Sequence, residues 1–236
     1  MKYIVVLVIC LELIAAFVGL FHIKRHQVGT YTKYVVYVLF FVAFTEIIAY
    51  TLPILVDREV GFFGSLKDTP FANNLWIHNP QLIVTFGFFA AFFRSRLKRG
   101  LIATLIKWGI IAYVISAVAN LIFTDIMFVG ISNYTYIVGS IFLLICILIY
   151  YFELLKSDNI LRFSTSLTFY ISVGLLIYYL CITPLFIYGR YYYQIESGEA
   201  FKQFYLYTLA VANVIMYGTF TLGFILCKPQ SIKTTY

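Results

Sequence analysis

Two carboxyl groups, Glu12 and Glu46, each lie inside a long apolar stretch, and a His78-Asn79-Pro80-Gln81 cluster breaks the start of a third stretch, "NNLWIHNPQLIVTF". Carrying an ionisable group to the centre of a bilayer costs about 2.5 to 3.5 kcal/mol on insertion scales. Residues of this kind therefore serve as proton relays, ion or ligand contacts, or hydrogen-bonding glue between helices. Glu12 lies nine residues from the start of its stretch at Tyr3, about 14 Å along a helix, and Glu46 lies nine residues from the end of its own at Leu55. The two stretches follow each other, so they run antiparallel, and consecutive elements usually pack together. The carboxyls thus share a depth and are expected to face each other or a common cavity. In that setting both would not ionise, which leaves a shared proton or a site for a cation.

His78, Gln81 and Thr85, at i, i+3 and i+7, form one stripe down the third stretch. Pro80 falls in its first turns, where a missing N–H does little harm, and Asn79, off the stripe, caps the helix if regular structure begins at Pro80. Asn120 lies near the end of a fourth stretch, and Asn213, Tyr217 and Thr221 follow one another at i, i+4 and i+8 in the last. The expected site is a ligand- or proton-binding cavity with His78 and Gln81 at its mouth and Glu12, Glu46 and Asn213 at its floor, and with Asn120 and Tyr217 contributing. A plainer alternative makes His78 and Gln81 interfacial residues wetted by headgroups.

The elements that must position these residues follow from composition. The chain has 236 residues, 62% of them hydrophobic and 11% charged, with a mean hydropathy of +0.92, which is the composition of a membrane protein. About 20 apolar residues cross the hydrocarbon layer, and seven such runs occur, at about 3–22, 34–55, 75–94, 101–123, 134–155, 166–188 and 203–227. The fold class expected is therefore an all-α membrane protein, a single seven-helix transmembrane domain over 1–236. The first run reads as a retained span because it lacks a basic leader and a small-residue cleavage site.

Seven spans put the termini on opposite sides, and the basic residues choose the sides. Eleven (Lys24, Arg25, Lys33, Arg94, Arg96, Lys98, Arg99, Lys156, Arg162, Lys228 and Lys233) collect on one face, whereas five (Lys2, Arg58, Lys67, Arg190 and Lys202) lie on the other. By the positive-inside rule the N-terminus is outside and the C-terminus inside a plasma (inner) membrane. The net charge of +7 then forms a collar suited to anionic headgroups at the inner face, and nucleic acid is not an expected partner. Lys107, about two turns from that face, can snorkel to it. Its place on the fourth span argues against a retinal Schiff base. Tyr150 and Tyr151 at an inner boundary, and Tyr191, Tyr192 and Tyr193 at an outer one, read as aromatic belts, with the outer cluster a minority candidate for a ligand cage.

Other chemistry finds little support. Cys10, Cys146, Cys181 and Cys227 all lie in spans without a CxxC pair and read as small apolar residues. No HExxH or GxSxG occurs, and His22 and His26 lie beside Lys24 and Arg25 at a basic helix end, so no metal, cofactor or enzymatic activity is expected. Asn133-Tyr134-Thr135 matches a glycosylation sequon in an outer loop.

Residues 151–188, "YFELLKSDNILRFSTSLTFYISVGLLIYYLCITPLFIY", resemble the fifth-to-sixth helix connection of small bacterial seven-helix membrane proteins and of the membrane sensor regions linked to histidine kinases. The resemblance rests on the "LLKSD" turn, the "FYISVGLLIYY" helix start and a later proline, and implies a sensor whose output passes to a separate cytosolic partner. Pro53 and Pro184, expected helix kinks in the second and sixth spans, would be equivalent in a 3+1+3 parallel repeat. That pattern is similar to the PQ-loop and SWEET-like sugar carriers, and Pro80-Gln81 supplies one Pro-Gln pair. Two functions are therefore expected in order: a receptor-like membrane subunit sensing a small ligand or proton through an outward polar cavity, and a proton-coupled or SWEET-like carrier. Polar residues concentrated in the outer halves of the spans favour the first.

Overall fold

A peptide unit in hydrocarbon must satisfy its N–H and C=O within its own segment, and an apolar run does so by forming a helix. The computed structural model describes residues 2–157, 163–192 and 198–227, with the side chains of 3–157, 163–189 and 200–227, and is helical without a strand among them. Seven helices are long and apolar enough to cross a membrane: α1 (Lys2–Arg25), α2 (Thr30–Asp57), α3 (Leu75–Arg94), α4 (Leu101–Phe123), α6 (Asn133–Leu155), α7 (Leu167–Tyr192) and α8 (Gly198–Leu226). Between α4 and α6 lies a single turn of helix, α5 (Ile126–Val129).

Helices α3 and α4 coincide with the apolar runs, while α2 begins at Thr30 and ends at Asp57, beyond 34–55, and α8 begins at Gly198. Hydropathy marks the part of a helix that suits lipid, and the backbone hydrogen bonds continue past it. At the start of α3 the Asn73 side chain accepts from the Leu75 N–H at 2.9 Å. The helix is thus under way well before Asn79, which is no cap, and Pro80 lies in its second turn, within the first turns expected of it. The cap that sequence chemistry does supply is Ser132, whose Oγ accepts from the Thr135 N–H at 3.2 Å ahead of α6.

Consecutive helices pack side by side from α1 to α3, and again from α6 to α8, with α8 returning against α1 to close the ring. Helix α3 is the hinge of the arrangement, touching α2, α4 and α6. Its Phe86, Phe92 and Phe93 are fully buried, and the Phe86 ring lies 5.2 Å from Tyr179 and 5.9 Å from Tyr136. The close approach of α3 and α6 depends on Gly139: a Cβ there would stand 2.5 Å from the Phe86 ring and 2.7 Å from the Tyr113 hydroxyl. Small residues at such crossings let helices reach van der Waals contact where lipid provides no hydrophobic drive. Gly139→Ala is accordingly expected to destabilise the purified protein by about 1 to 3 kcal/mol, as overpacked cores do. A thermal melt unchanged from the wild type would show that this crossing is loose.

The two ends of the bundle differ. Lys24, Arg25, Lys33, Arg94, Arg96, Lys98, Arg99 and Lys156 cluster at the basic end, whereas Arg58, Lys67 and Lys202 are at the opposite end. At the basic end the Arg94 guanidinium donates to the Ala103 carbonyl at 2.8 Å, and the Lys98 N–H donates to the Glu153 carboxyl at 3.0 Å. Lys107 is exposed on α4 with its ammonium 5.8 Å from the Trp108 ring, a position from which the stem can run along the helix surface. Tyr150 departs from the belt expected of it. It is 7% exposed and packs against Phe93 at 5.7 Å, because α6 turns that side toward α3, while Tyr151 accepts a hydrogen bond from Ser172. The belt and cage readings of Tyr191, Tyr192 and Tyr193 fall outside the described side chains.

At the opposite end, residues 58–74 are ordered as two 3₁₀ turns, Gly61–Leu66 and Pro70–Ala72. Phe63, Leu66, Ala72 and Trp76 pack on a small separate core of Ala49, Leu52, Val56 and Ile77. Lys67 donates to Glu59 at 2.7 Å and holds that carboxyl below the usual carboxylate range. Both side chains are exposed, so the pair orders the turn without adding much stability.

Candidate functional site

A cavity of about 260 Å³ lies between α1, α2, α3, α7 and α8, and both intramembrane carboxyls line it. Glu12 is 2% exposed. Its Oε1 accepts a 2.8 Å hydrogen bond from the Tyr217 hydroxyl across the α1–α8 contact, and its Oε2 is buried with no partner. Asn213, one turn before Tyr217, also lines the cavity, and its Nδ2 is committed to the Leu209 carbonyl of its own helix at 2.8 Å. Thr221 continues the sequence stripe but bonds the Tyr217 carbonyl and does not reach the cavity.

A second cavity of similar volume adjoins this one, nearer the end opposite the basic collar. Val5 and Glu46 line both spaces. The outer space, or vestibule, is bounded by Tyr50, Pro53, Asn74 and His78, and His78 Nδ1 stands 3.6 Å from Glu46 Oε1. From the inner side Gln81 Nε2 approaches the same oxygen at 3.5 Å, and Thr85, one turn further along, lines the cavity wall. The His78-Gln81-Thr85 stripe therefore runs from vestibule to cavity past Glu46. The sequence placed both carboxyls on one floor; in the structure Glu46 lines both spaces, at the neck where they adjoin, whereas Glu12 lines the inner one alone.

Pro53 leaves the carbonyl of Ala49 without its helical donor, since proline has no N–H for the residue four before it. Asn74 answers that carbonyl with its Nδ2 at 3.1 Å, tying α2 to the start of α3 beside the vestibule. Asn74→Ala should therefore destabilise by about 0.5 to 1.5 kcal/mol in the wild-type background. In a Pro53→Ala background the restored N–H serves Ala49, and the same change should be close to neutral. Equal losses in both backgrounds would mean that the Asn74 bond is unrelated to the proline. Pro184 lies inside α7, as Pro53 lies inside α2, and does not border the cavity.

Asn120 is displaced from the expected site. Its Oδ1 accepts from the Ser132 hydroxyl at 2.8 Å, on the far side of α3 from the cavity. It belongs to a latch built around Asn79, which is 0% exposed. Asn79 Nδ2 reaches the carbonyls of Met127 at 3.2 Å and Gly130 at 3.0 Å, and its Oδ1 accepts from the Ser132 N–H at 2.9 Å. The irregular α4–α6 connection carries backbone groups with no helical partner; Asn79 satisfies them, and Asn120 holds the Ser132 side chain beside it. The same cluster buries Thr135 fully and bonds its hydroxyl to Ser132, so the third residue of the sequon is enclosed in the folded chain.

The His22 and His26 rings lie 5.1 Å apart at a tilt of 56°, with His22 packed 5.8 Å from Phe224 at the basic end. No group of three or more metal-ligating side chains occurs among the described residues. No family model, curated protein or solved structure matches the chain.

Proposed function

We propose that this protein is a receptor-like integral membrane subunit that senses a small ligand or a proton in a cavity open to the outside. Its N-terminus would lie outside and its basic end inside the plasma (inner) membrane, as the positive-inside rule directs. The observation that carries the reading is the one-sidedness of the polar path. Tyr50, Asn74, His78, Glu46, Gln81 and Glu12 succeed one another from the end opposite the collar inward. Beyond Met216 and Phe220, toward the basic end, the interior is mainly apolar, with Phe92, Phe93, Ile171 and Phe224 buried, and the polar side chains buried there, His22, Thr32, Thr168 and Ser172, do not line the cavity. A carrier needs a polar route on both sides of its binding site.

Sensing needs an occupant that binds two helix packings unequally. Glu12 on α1, Tyr217 on α8, Glu46 on α2 and Gln81 on α3 meet at this site, so a ligand or proton there acts on four helices at once. The collar of lysines and arginines at the other end of those helices suits anionic headgroups and an acidic surface on a cytosolic partner. The test is solute flux in proteoliposomes with and without a pH gradient, run beside ligand-dependent thermal stabilisation of the purified protein. Stabilisation without flux is expected. Flux that is lost in Glu46→Gln would instead establish the carrier.

A further inference from the structure

We propose that the occupant of the Glu12–Glu46 cavity is a small organic cation, a protonated amine carried on an apolar body. The inference rests on the receptor reading for the role of the cavity but on separate observations for its chemistry. Among the described residues that line it, two carry carboxyl groups and none is Lys, Arg or His. The polar atoms left unanswered in its wall are acceptors: Glu12 Oε2 and Gln81 Oε1, both buried without a partner on residues 2% and 7% exposed.

The donors are meanwhile committed elsewhere. The Tyr217 hydroxyl hydrogen goes to Glu12, the Asn213 amide to Leu209 and the Gln81 amide to Glu46. That last bond also fixes which way the Gln81 amide is turned, since a carboxylate accepts and an NH₂ group donates. The hydroxyls of Thr85, Tyr178 and Tyr179 also line the cavity and can donate or accept, and that of Tyr178 is also in reach of Tyr136. A site rich in unanswered acceptors and poor in free donors rejects carboxylates and phosphates and takes a group with several N–H donors. An ammonium has three and no acceptor.

The remaining wall is apolar and aromatic, with Val8, Leu82 and Leu175 beside Phe89, Tyr179 and Phe220. It matches a hydrocarbon or aryl body, and ring faces attract a desolvated cation further. Its polar groups are too few and too one-sided for a sugar, whose hydroxyls need donors and acceptors together. At about 260 Å³ the cavity falls just below the common range of drug-sized pockets, so the body is small. The vestibule extends the same selection outward, because Glu46 at the neck meets an approaching cation before Glu12 does.

The experiment uses the full chain in nanodiscs and compares phenethylammonium with its neutral isostere 2-phenylethanol, with 3-phenylpropionate, and with sodium and potassium ions, by calorimetry and thermal shift. Phenethylammonium is expected to bind at least tenfold more tightly than the alcohol, with no binding of the carboxylate and no competition from the metal ions. Glu12→Gln and Glu46→Gln should each weaken it at least tenfold. Glu46, partly exposed, provides the readout if Glu12→Gln fails to fold. Equal binding of alcohol and ammonium, preference for the carboxylate, competition by sodium or potassium alone, or no binding by any probe would overturn the cation assignment. Phenethylammonium flux into proteoliposomes would instead retain the cation and overturn the receptor role.

Discussion

Replacing Asn79 by alanine is expected to cost about 2 to 4 kcal/mol of stability, because it strips hydrogen bonds from several buried backbone groups at once. Asn79 is fully buried and bonds the carbonyls of Met127 and Gly130 and the N–H of Ser132. Within a helix those groups would find each other, but the α4–α6 connection is irregular there, so no backbone partner replaces the side chain. An ordinary polar contact in a membrane helix contributes about 0.6 kcal/mol, and Thr45→Val is the matched control. Thr45 bonds the Phe41 and Val42 carbonyls of its own helix, which keep their backbone donors. Thermal or denaturant unfolding of the two variants separates the cases, and a loss for Asn79→Ala no larger than for Thr45→Val would mean that α3 is not held by the latch. Asn120 should share the effect to a smaller degree through Ser132.

The second large effect concerns the carboxyls. Glu12→Gln keeps an oxygen that can accept from Tyr217, and Glu46→Gln keeps one that can meet Gln81, so both variants should fold. What each loses is a charge that protons and a cation compete for. A proton and an amine compete for the carboxyl pair, so acidification should weaken amine binding in the wild type. In either glutamine variant, amine binding should fall at least tenfold and its change with pH should shrink. The measurement is the thermal shift given by phenethylammonium across a pH series. An unaltered pH profile in both variants would remove the carboxyls from the site.

Much of the arrangement was legible in the sequence because depth is additive along a membrane helix. Counting residues from the span ends was enough to bring Glu12 and Glu46 to one cavity, though not to one depth in it, and periodicity put His78, Gln81 and Thr85 on one face. Tyr217 came from the same counting. The partners that escaped lie where helical periodicity stops. Asn120 looks like a cavity residue from its depth and Asn79 like a cap from its place off the stripe, yet their hydrogen bonds end in the short segment 126–132, whose Gly130 and Ser132 mark a turn but not the helix it folds against. Asn74 serves a carbonyl freed by Pro53, and that link needs the three-dimensional path of α2 and α3. Tyr150 was misread for a related reason: position along a helix gives depth, but only packing gives the side that faces the core.

The central claim, a polar cavity reached from one side only, is tested most directly by thiol accessibility. Thr85 lines the cavity and is partly exposed, so Thr85→Cys in a chain with Cys10, Cys146, Cys181 and Cys227 replaced places a single thiol at its wall. Membrane-impermeant maleimide is then applied to vesicles of each orientation. The account predicts labelling from the face opposite the basic collar, blocked by phenethylammonium, and none from the collar face. Labelling from the collar face would contradict it, because the buried layer of Phe92, Phe93 and Phe224 would then have to open as it does in a carrier.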